Sequence, residues 1–363
     1  MGRLSLRLYA SRSSDKQGLA SKMPEISVCI PVYNTESYLP QCLKSVAEQD
    51  FSFGIEILIL SDASKGKDES GRSAKKIVKG FAKKFAKENS RSSKRIVFRY
   101  LENSQNLSLI ESRRRLVSES RGEYIFMLDS DDFLPPNALS SLYEAALQNK
   151  ADIVQGDCVT VDSEGKNRAE SKNEFHPYDG ILERYEIFKK CFCEGKYRPV
   201  IATKLIRREI YQKAFDEIPF IKAHMAEEVI QYFFVARFAS RYVGIKIPVY
   251  FYRVGVGVTS RKITELSEWK KICSTASIFT ALYSWIEEKT AESEKNPLDE
   301  EEMHALSRLA KIYCVNNVRQ LKNSVAPELQ EKALEMLCDF WGAEAIENTE
   351  EFLKKTSAER ADS

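Results

Sequence analysis

Three carboxylates end an apolar run in Gly122-Glu123-Tyr124-Ile125-Phe126-Met127-Leu128-Asp129-Ser130-Asp131-Asp132. Aromatic and β-branched residues over such a length read as a buried strand. Acids just past its end fall at the carboxyl edge of a sheet, where α/β folds bind ligands. Asp129 and Asp131 stand two apart, so a persisting pleat would point both the same way. Like charges so placed repel unless a cation lies between them. Oxygen donors without His or Cys suit Mg²⁺ or Mn²⁺ better than zinc, and such an ion could hold a diphosphate. The same residues are also turn formers, and Asp132 ahead of Phe133-Leu134-Pro135-Pro136 equally fits a turn or a helix cap.

What decides between these readings is the order of elements that must position the acids. Residues 26–30 form an apolar strand stopped by Pro31, and a loop through Asn34 follows it. Leu39, Cys42, Leu43 and Val46 then fall at helical spacing. A second strand over 55–60 ends in the polar turn Ser61-Asp62-Ala63-Ser64-Lys65-Gly66, which places another carboxylate at a strand end. The next helix gathers Ala74, Ile77, Val78, Phe81 and Phe85 on one face and Lys75, Lys76, Lys79, Lys83 and Lys87 on the other. A third strand over 96–101 and a helix over 108–120 lead to the strand before Asp129. This alternation predicts a largely parallel, doubly wound sheet, in which Asp62 and the Asp129/Asp131 pair converge on one rim. No GxxxxGK[ST] occurs, and no GxGxxG follows a strand, so a P-loop or dinucleotide fold is not supported.

Downstream, helices are expected over 136–148 and 185–193, and strands over 153–161 and 245–253, the last edge-like because of Pro248. Residues 200–207 fit strand or loop, and a short helix follows through Ala214. A helix over 225–236 carries Glu227 and Glu228 in its first turn, where acids also simply complement the helix dipole. His224, one helical turn before Glu228, reads as structural. Gly255-Val256-Gly257-Val258-Thr259-Ser260 is a mobile-loop candidate that could close over a ligand or be a plain turn. From residue 263 onward only helices are expected, over 269–289, 300–322, 327–340 and 343–355. The domain reading is therefore a flexible extension over 1–23, with Met23 as a candidate start of the folded part. A single α/β domain over 24–262 and a helical subdomain over 263–363 complete it.

Composition narrows the function classes. The net charge of +2 argues against bulk electrostatic capture of nucleic acid. Eight cysteines without a CxxC pair, and no His at ligand spacing, suggest neither a zinc site nor a disulfide framework, and fit reduced thiols in the cytoplasm. No apolar run approaches the roughly 18 residues that span a bilayer.

SVCIPVYNTESYLPQCLKSVAEQ, then EILILSDAS, then GEYIFMLDSDDFLPP resemble the inverting family-2 glycosyltransferases, over roughly residues 26–260. The resemblance implies a Rossmann-like type-A glycosyltransferase domain with a mostly parallel central sheet, of the kind that builds bacterial cell-surface polysaccharide or lipopolysaccharide. It implies that Pro31, Tyr33 and Asn34 pack on the nucleotide base and that Asp62 hydrogen-bonds the uracil. Arg113 would approach the base or diphosphate. Asp129, Ser130 and Asp131 form the DxD motif, with Asp131 and Asp129 holding Mn²⁺ or Mg²⁺. Glu228 matches the catalytic base, and Lys204, Asp132 and Glu227 fall on the acceptor side. Three departures stand out: Ser61-Asp62-Ala63-Ser64 in place of two aspartates and Gly-Ser, Arg113-Arg114-Arg115 in place of Arg-Asn, and Glu in place of Asp at 228.

The expected partners are a UDP-sugar and a glycan or lipid-linked acceptor, handled at the inner face of the membrane. The lysine face could touch anionic lipid there, or be only a solvated helix face. The helical tail could form a homodimer or cover the acceptor cleft. A non-catalytic nucleotide-sugar scaffold has no use for the carboxylate at 228, and a nucleotidyltransferase lacks its Gly-rich phosphate loop here.

Overall fold

The computed structural model describes residues 6–10, 23–90, 95–166, 168, 175–256 and 262–361. The chain divides into two units: Met1–Cys191, Gly195–Glu217 and Gln231–Val256 make the first, and Phe192–Glu194, Ile218–Ile230 and Gly257–Ser363 the second. The division at Val256/Gly257 lies close to the boundary read from sequence. Residues 218–230, which include Glu227 and Glu228, group with the helical unit rather than with the sheet.

Strand and helix alternate in the first unit as the apolar pattern dictates. The elements are β1 (Leu6–Ala10), β2 (Ile26–Val32), α1 (Leu39–Ala47), β3 (Gly54–Ser61), α2 (Ala74–Glu88), β4 (Arg95–Glu102) and α3 (Leu109–Glu119). Next come β5 (Tyr124–Met127), α4 (Ala138–Asn149), β6 (Ile153–Val161), β7 (Gly180–Glu183) and α5 (Tyr185–Phe188), which runs on as a π-helical turn over Lys189–Cys193. After these stand β8 (Lys204–Arg207), α6 (Arg208–Glu217), α7 (Glu227–Phe238) and β9 (Arg241–Arg253). The division between units falls inside α7.

The nine strands lie in the order β1-β4-β3-β2-β5-β8-β6-β9-β7. Strands β2 to β6 and β9 share one direction, while β1, β8 and β7 run against their neighbours. The expected mostly parallel sheet is present. Every residue of β2, β3 and β5 is buried, as parallel strands covered on both faces are. Leu39, Cys42, Leu43 and Val46 of α1, with Ala74, Ile77, Val78 and Ala82 of α2, fill the space against them. Phe81 and Phe85 pack on Phe98 of β4, and lysines occupy the outer face of α2.

Two elements depart from expectation. The stretch 1–23 is not extension throughout, because Leu6–Ala10 pairs antiparallel with β4 and occupies the edge of the sheet. An open edge offers unpaired amides and carbonyls to any extended segment, and five residues suffice to fill it. Strand β9 lies between β6 and β7, yet β7 covers only Arg241–Gly244. Pro248 sits past that cover, opposite Asp157 at a bulge, where its missing N–H breaks no ladder. Of the mobile-loop candidate, residues 257–260 lie outside the described residues.

One charged network is built into the sheet. Arg99 Nη1 lies 2.6 Å from Glu56 Oε1, and both side chains are at most 3% exposed. Ser27 Oγ donates to Glu56 Oε2 at 2.7 Å and the Arg121 amide does so at 3.0 Å, while Arg99 also reaches Glu119. The charges are thus paired and hydrogen-bonded, the condition under which buried ions persist.

The second unit carries α8 (Leu266–Cys273), α9 (Thr275–Ser293), α10 (Glu300–Ser324), α11 (Gln330–Trp341) and α12 (Ala343–Ala361). The helix expected over 269–289 is two, joined at Ser274. Trp269 is fully buried at the core of this unit and donates from Nε1 to the Ala333 carbonyl at 2.8 Å. Asp299 and Glu302 form a reciprocal capping box that starts α10.

Candidate active site

Strands β3, β2 and β5 are adjacent and parallel, with Val32 beside Ser61 and Cys29 beside Met127. Their carboxyl ends therefore deliver Asp62, the loop from Tyr33 to Glu36, and the turn from Asp129 to Asp132 to one rim. These are the segments that the sequence pointed to.

The loop after β2 is locked to the loop after β3. The Asn34 amide donates to Ser64 Oγ at 2.8 Å, and Ser64 Oγ donates to Glu36 Oε1 at 2.6 Å. Gly66 completes the contact: a Cβ there would fall 2.9 Å from Asn34 Cα and collide with Glu36 Oε2. Asn34 takes a positive φ of 59°, which asparagine tolerates better than most residues. Pro31 is buried in β2, whereas the Tyr33 ring is 46% exposed at the rim.

Asp62 is buried and already engaged. Its Oδ1 accepts from Asn103 Nδ2 at 2.7 Å and from the Leu107 amide at 3.0 Å. Asn103 is held in turn by Arg115, and Arg114 pairs with Glu111. The three consecutive arginines thus have three different roles. Arg113, only 2% exposed, sends Nη2 to within 3.1 Å of Asp129 Oδ1. That ion pair joins α3 to the acidic turn.

The pleat does not persist past β5. The Asp132 amide bonds the Asp129 carbonyl at 3.1 Å, closing a turn that sends the three carboxylates to different surroundings. Asp129 is one-third exposed and faces Arg113. Ser130 Oγ meets Thr35 Oγ1 at 2.6 Å, which ties the turn to the loop after β2. Burial, then the charge of Asp129, pushes the Asp131 carboxyl up to about 6. Burial also pushes Asp132 well above the usual carboxylate range, with Asp131 and Asp129 adding to the effect. Asp132 accepts from Tyr250 Oη and from the Arg253 amide, both at 2.8 Å.

A divalent cation fits the strain in this turn, because it would favour the ionised form of Asp131 that burial and Asp129 disfavour. Among the described residues no three His, Cys, Asp or Glu side chains form an all-protein cage. Asp129 and Asp131 alone would serve an ion whose remaining ligands are phosphate oxygens and water, the usual habit of Mg²⁺.

Sequence reasoning missed the supports of the site: Thr35, Glu36, Asn103, Tyr250 and Arg253. Arg253 had a readable signal, a cation ending an apolar strand. It is 4% exposed, donates from Nε to the Asp131 carbonyl at 2.8 Å, reaches Gln41 and Ser163, and stacks on Tyr38.

Two residues expected on the acceptor side are buried and hydrogen-bonded within their own unit. Asp132 is held by Tyr250 and Arg253, as above. Lys204 is fully buried and donates from Nζ to the Val200 carbonyl at 2.5 Å. A charged side chain is buried only where partners replace water, and here both have them. Glu227 is buried and Glu228 half-buried at the start of α7, in the second unit, directly after Ala226 with φ of 60°. In the same unit the His224 amide donates to Ser274 Oγ at 3.0 Å.

The family model described as Glycosyl transferase family 2 matches residues 27–225. Glycosyltransferase GlyA of Streptococcus pneumoniae is 25% identical over 246 residues, which cover 66% of this chain and 32% of that protein. Glycosyltransferase GlyG of the same organism is 27% identical over 253 residues, covering 67% of this chain and 75% of GlyG. The poly(ribitol-phosphate) β-N-acetylglucosaminyltransferase TarP of Staphylococcus aureus is 32% identical over 194 residues, covering 53% of this chain and 51% of TarP. The chain therefore spans about a third of GlyA and about half of TarP. With more than half of its residues inside the family match, and with the acidic turn at the rim of a mostly parallel sheet, the chain belongs to glycosyl transferase family 2.

Proposed function

We propose that the protein moves a sugar from a UDP donor, with inversion at the anomeric carbon, to a saccharide or lipid-linked acceptor in cell-surface glycan synthesis. The observation that carries this reading is the Arg113–Asp129–Asp131 cluster: a buried cation paired with Asp129, and beside them an Asp131 carboxyl raised by burial and by Asp129, at the carboxyl rim of a mostly parallel sheet. Such a cluster suits a diphosphate and a divalent ion together. The choice of UDP, of inversion and of a cell-surface acceptor follows the family resemblance, and a polymeric acceptor is in keeping with the name of TarP, a poly(ribitol-phosphate) β-N-acetylglucosaminyltransferase.

Each residue then has a task. Tyr33 offers its exposed ring to the base. Asp62, fixed by Asn103 and Leu107, keeps lone pairs for the uracil N–H. Asp129 and Asp131 would hold Mn²⁺ or Mg²⁺, which when bound neutralises charge on the leaving diphosphate. Arg113 offers the same diphosphate a guanidinium with no proton to lose. Glu228 takes the proton of the acceptor hydroxyl as its oxygen bonds to the anomeric carbon, and the bond from that carbon to UDP breaks on the opposite face. Glutamate reaches one methylene further than the usual aspartate, which sets a different acceptor position rather than a different reaction.

Among the described residues no helix is long and apolar enough to cross a membrane. For work on a lipid-linked acceptor at the inner face of the membrane, the exposed lysines of α2 would be available to anionic lipid.

The test is release of UDP from a panel of UDP-sugars with and without Mn²⁺, repeated with Glu228→Gln. Metal-dependent release on one donor, lost on transfer to acceptor in the variant while UDP still binds, is the expected result. Indifference of the parent protein to both manganese and UDP would end the reading.

A further inference from the structure

The second unit carries a hollow between α9, α10, α11 and α12. It holds about 450 Å³, inside the roughly 300–1,000 Å³ of small-molecule sites. Three alanines make the room: Ala276 of α9, Ala310 of α10 and Ala345 of α12 all line it. Two of them head apolar faces. Ala276, Phe279, Thr280 and Tyr283 follow one another at i, i+3, i+4 and i+7, and Ala345, Asn348, Thr349 and Phe352 repeat that spacing on α12. Phe279 and Trp341 close one side, with ring centres 5.7 Å apart.

The walls make little polar demand. Thr280 Oγ1 donates to the Ala276 carbonyl at 3.2 Å. Thr349 Oγ1 donates to the Ala345 carbonyl at 2.7 Å and meets Cys314 Sγ at 3.4 Å. Tyr283 Oη meets Ser307 Oγ at 3.3 Å, and Trp341 Nε1 donates to Asn317 Oδ1 at 3.0 Å. The mouth is different. Lys311 lines it with an exposed side chain, and its Nζ lies 4.7 Å from the centre of the Phe352 ring, itself 40% exposed. A cation held over a ring face is fixed in place and keeps its charge. Among the described residues no carboxylate pairs with Lys311. The result is an apolar chamber with an unneutralised cation at its edge.

We infer that this hollow binds a single-chain amphiphile, with its apolar tail among Phe279, Tyr283, Phe340 and Trp341 and its anionic head at Lys311. Such a tail buries apolar surface without stranding a wall hydroxyl, thiol or indole N–H, because each already has a partner. The head neutralises the lysine that the Phe352 ring holds at the mouth. Free fatty acids and isoprenyl phosphates share this chemistry. The inference stands apart from the transferase reading, since every residue it uses lies in the second unit.

The experiment titrates the full chain with a bromine-tipped dodecanoic acid and with the matching alcohol, both below the concentrations at which they form micelles. Bromine quenches tryptophan emission at short range, so binding is read from Trp341, and Trp341→Phe should remove that part of the signal. Lys311→Gln is expected to weaken the acid about five-fold and leave the alcohol within about two-fold of the parent, the size of an exposed ion pair. Ala345→Phe, which fills the hollow, is expected to weaken both by about ten-fold or more, because the tail loses the surface it would bury. Farnesyl phosphate and unbrominated dodecanoic acid are then compared as competitors, and the tighter one names the source of the ligand. Absence of quenching in the parent would overturn the inference, as would quenching that Trp341→Phe or Ala345→Phe leaves unchanged, or equal losses of acid and alcohol in Lys311→Gln. A parent dimer that Ala345→Phe turns into a monomer would also overturn it, since a second copy would then cover the hollow. Should Ala345→Phe fail to fold, Ala310→Leu decides by the same readings.

Discussion

Arg113 Nη2 stands 3.1 Å from Asp129 Oδ1, with the guanidinium almost wholly out of solvent and the carboxylate one-third exposed. The arginine is thus aimed at an acid of the turn that solvent, or a ligand, can reach, beside Asp131, which is itself partly exposed. Replacing Arg113 by lysine keeps a charge but loses the planar fork. Donor kcat/KM is expected to drop about a hundred-fold, in line with loss of a preorganised donor to a developing oxyanion. Steady-state kinetics on the donor identified above would show it, and a loss below about three-fold would detach Arg113 from the reaction.

Asp131 makes stability depend on pH. Its carboxyl is raised from an ordinary 3.8 to about 6, so the folded state binds its proton more tightly than the unfolded chain. The stabilising contribution is therefore complete below about pH 4 and is lost as pH rises through about 6. The displacement corresponds to about 3 kcal/mol. A divalent cation should offset that loss. Urea unfolding of wild type and Asp131→Asn at pH 5 and pH 7.5, in EDTA and in Mn²⁺, checks this: only the wild type should gain from manganese, and mainly at the higher pH.

Ala63 occupies the left-handed region with φ of 53°, where the family pattern has glycine. Alanine is crowded there at its Cβ, whereas glycine would give the unfolded chain more freedom to lose. Ala63→Gly is expected to raise stability by about 0.5–1 kcal/mol, because relief of the left-handed strain outweighs that added freedom. A denaturation midpoint equal to or below the parent's would contradict it.

The Arg99–Glu56 pair offers a control remote from the rim. Arg99→Met should destabilise by about 3–5 kcal/mol, because Glu56 is left charged and buried. Adding Glu56→Met to it should recover much of that loss. Thermal melts of the single and double variants measure both effects, and additive losses would show that the two side chains do not act as a pair.

How much of this was legible in the sequence follows from which interactions are local. Helices and strands with clean apolar periods, such as 26–30, 55–60 and 300–322, lie where their spacing puts them, because burial of one face is written into the residues themselves. The acidic turn was legible as a strand end, but its geometry was not. The Asp132 amide folds back onto the Asp129 carbonyl, so Asp129 and Asp131 lie on a turn and not on one pleat, a bond that alternation cannot show. Lys204 and Asp132 look like ligands in sequence, since charge usually marks a surface. Tyr232, Tyr250 and Arg253, which pack against them, come from other segments, so only the fold reveals that both charges face inward. The pairing of Leu6–Ala10 with β4 was unreadable for a similar reason: five residues in a basic stretch carry too little pattern to mark a strand.

The shared hydroxyl of Ser64 joins two walls of the rim that come from different strands. Such a joint lets the walls move only as one plate. A nucleotide arriving there meets a surface whose shape is already set, so little ordering entropy is lost in the encounter. Its capture rate should then follow solvent viscosity, and Ser64→Ala, by parting the plate, should make capture slower and less viscosity-dependent while leaving the chemical step alone.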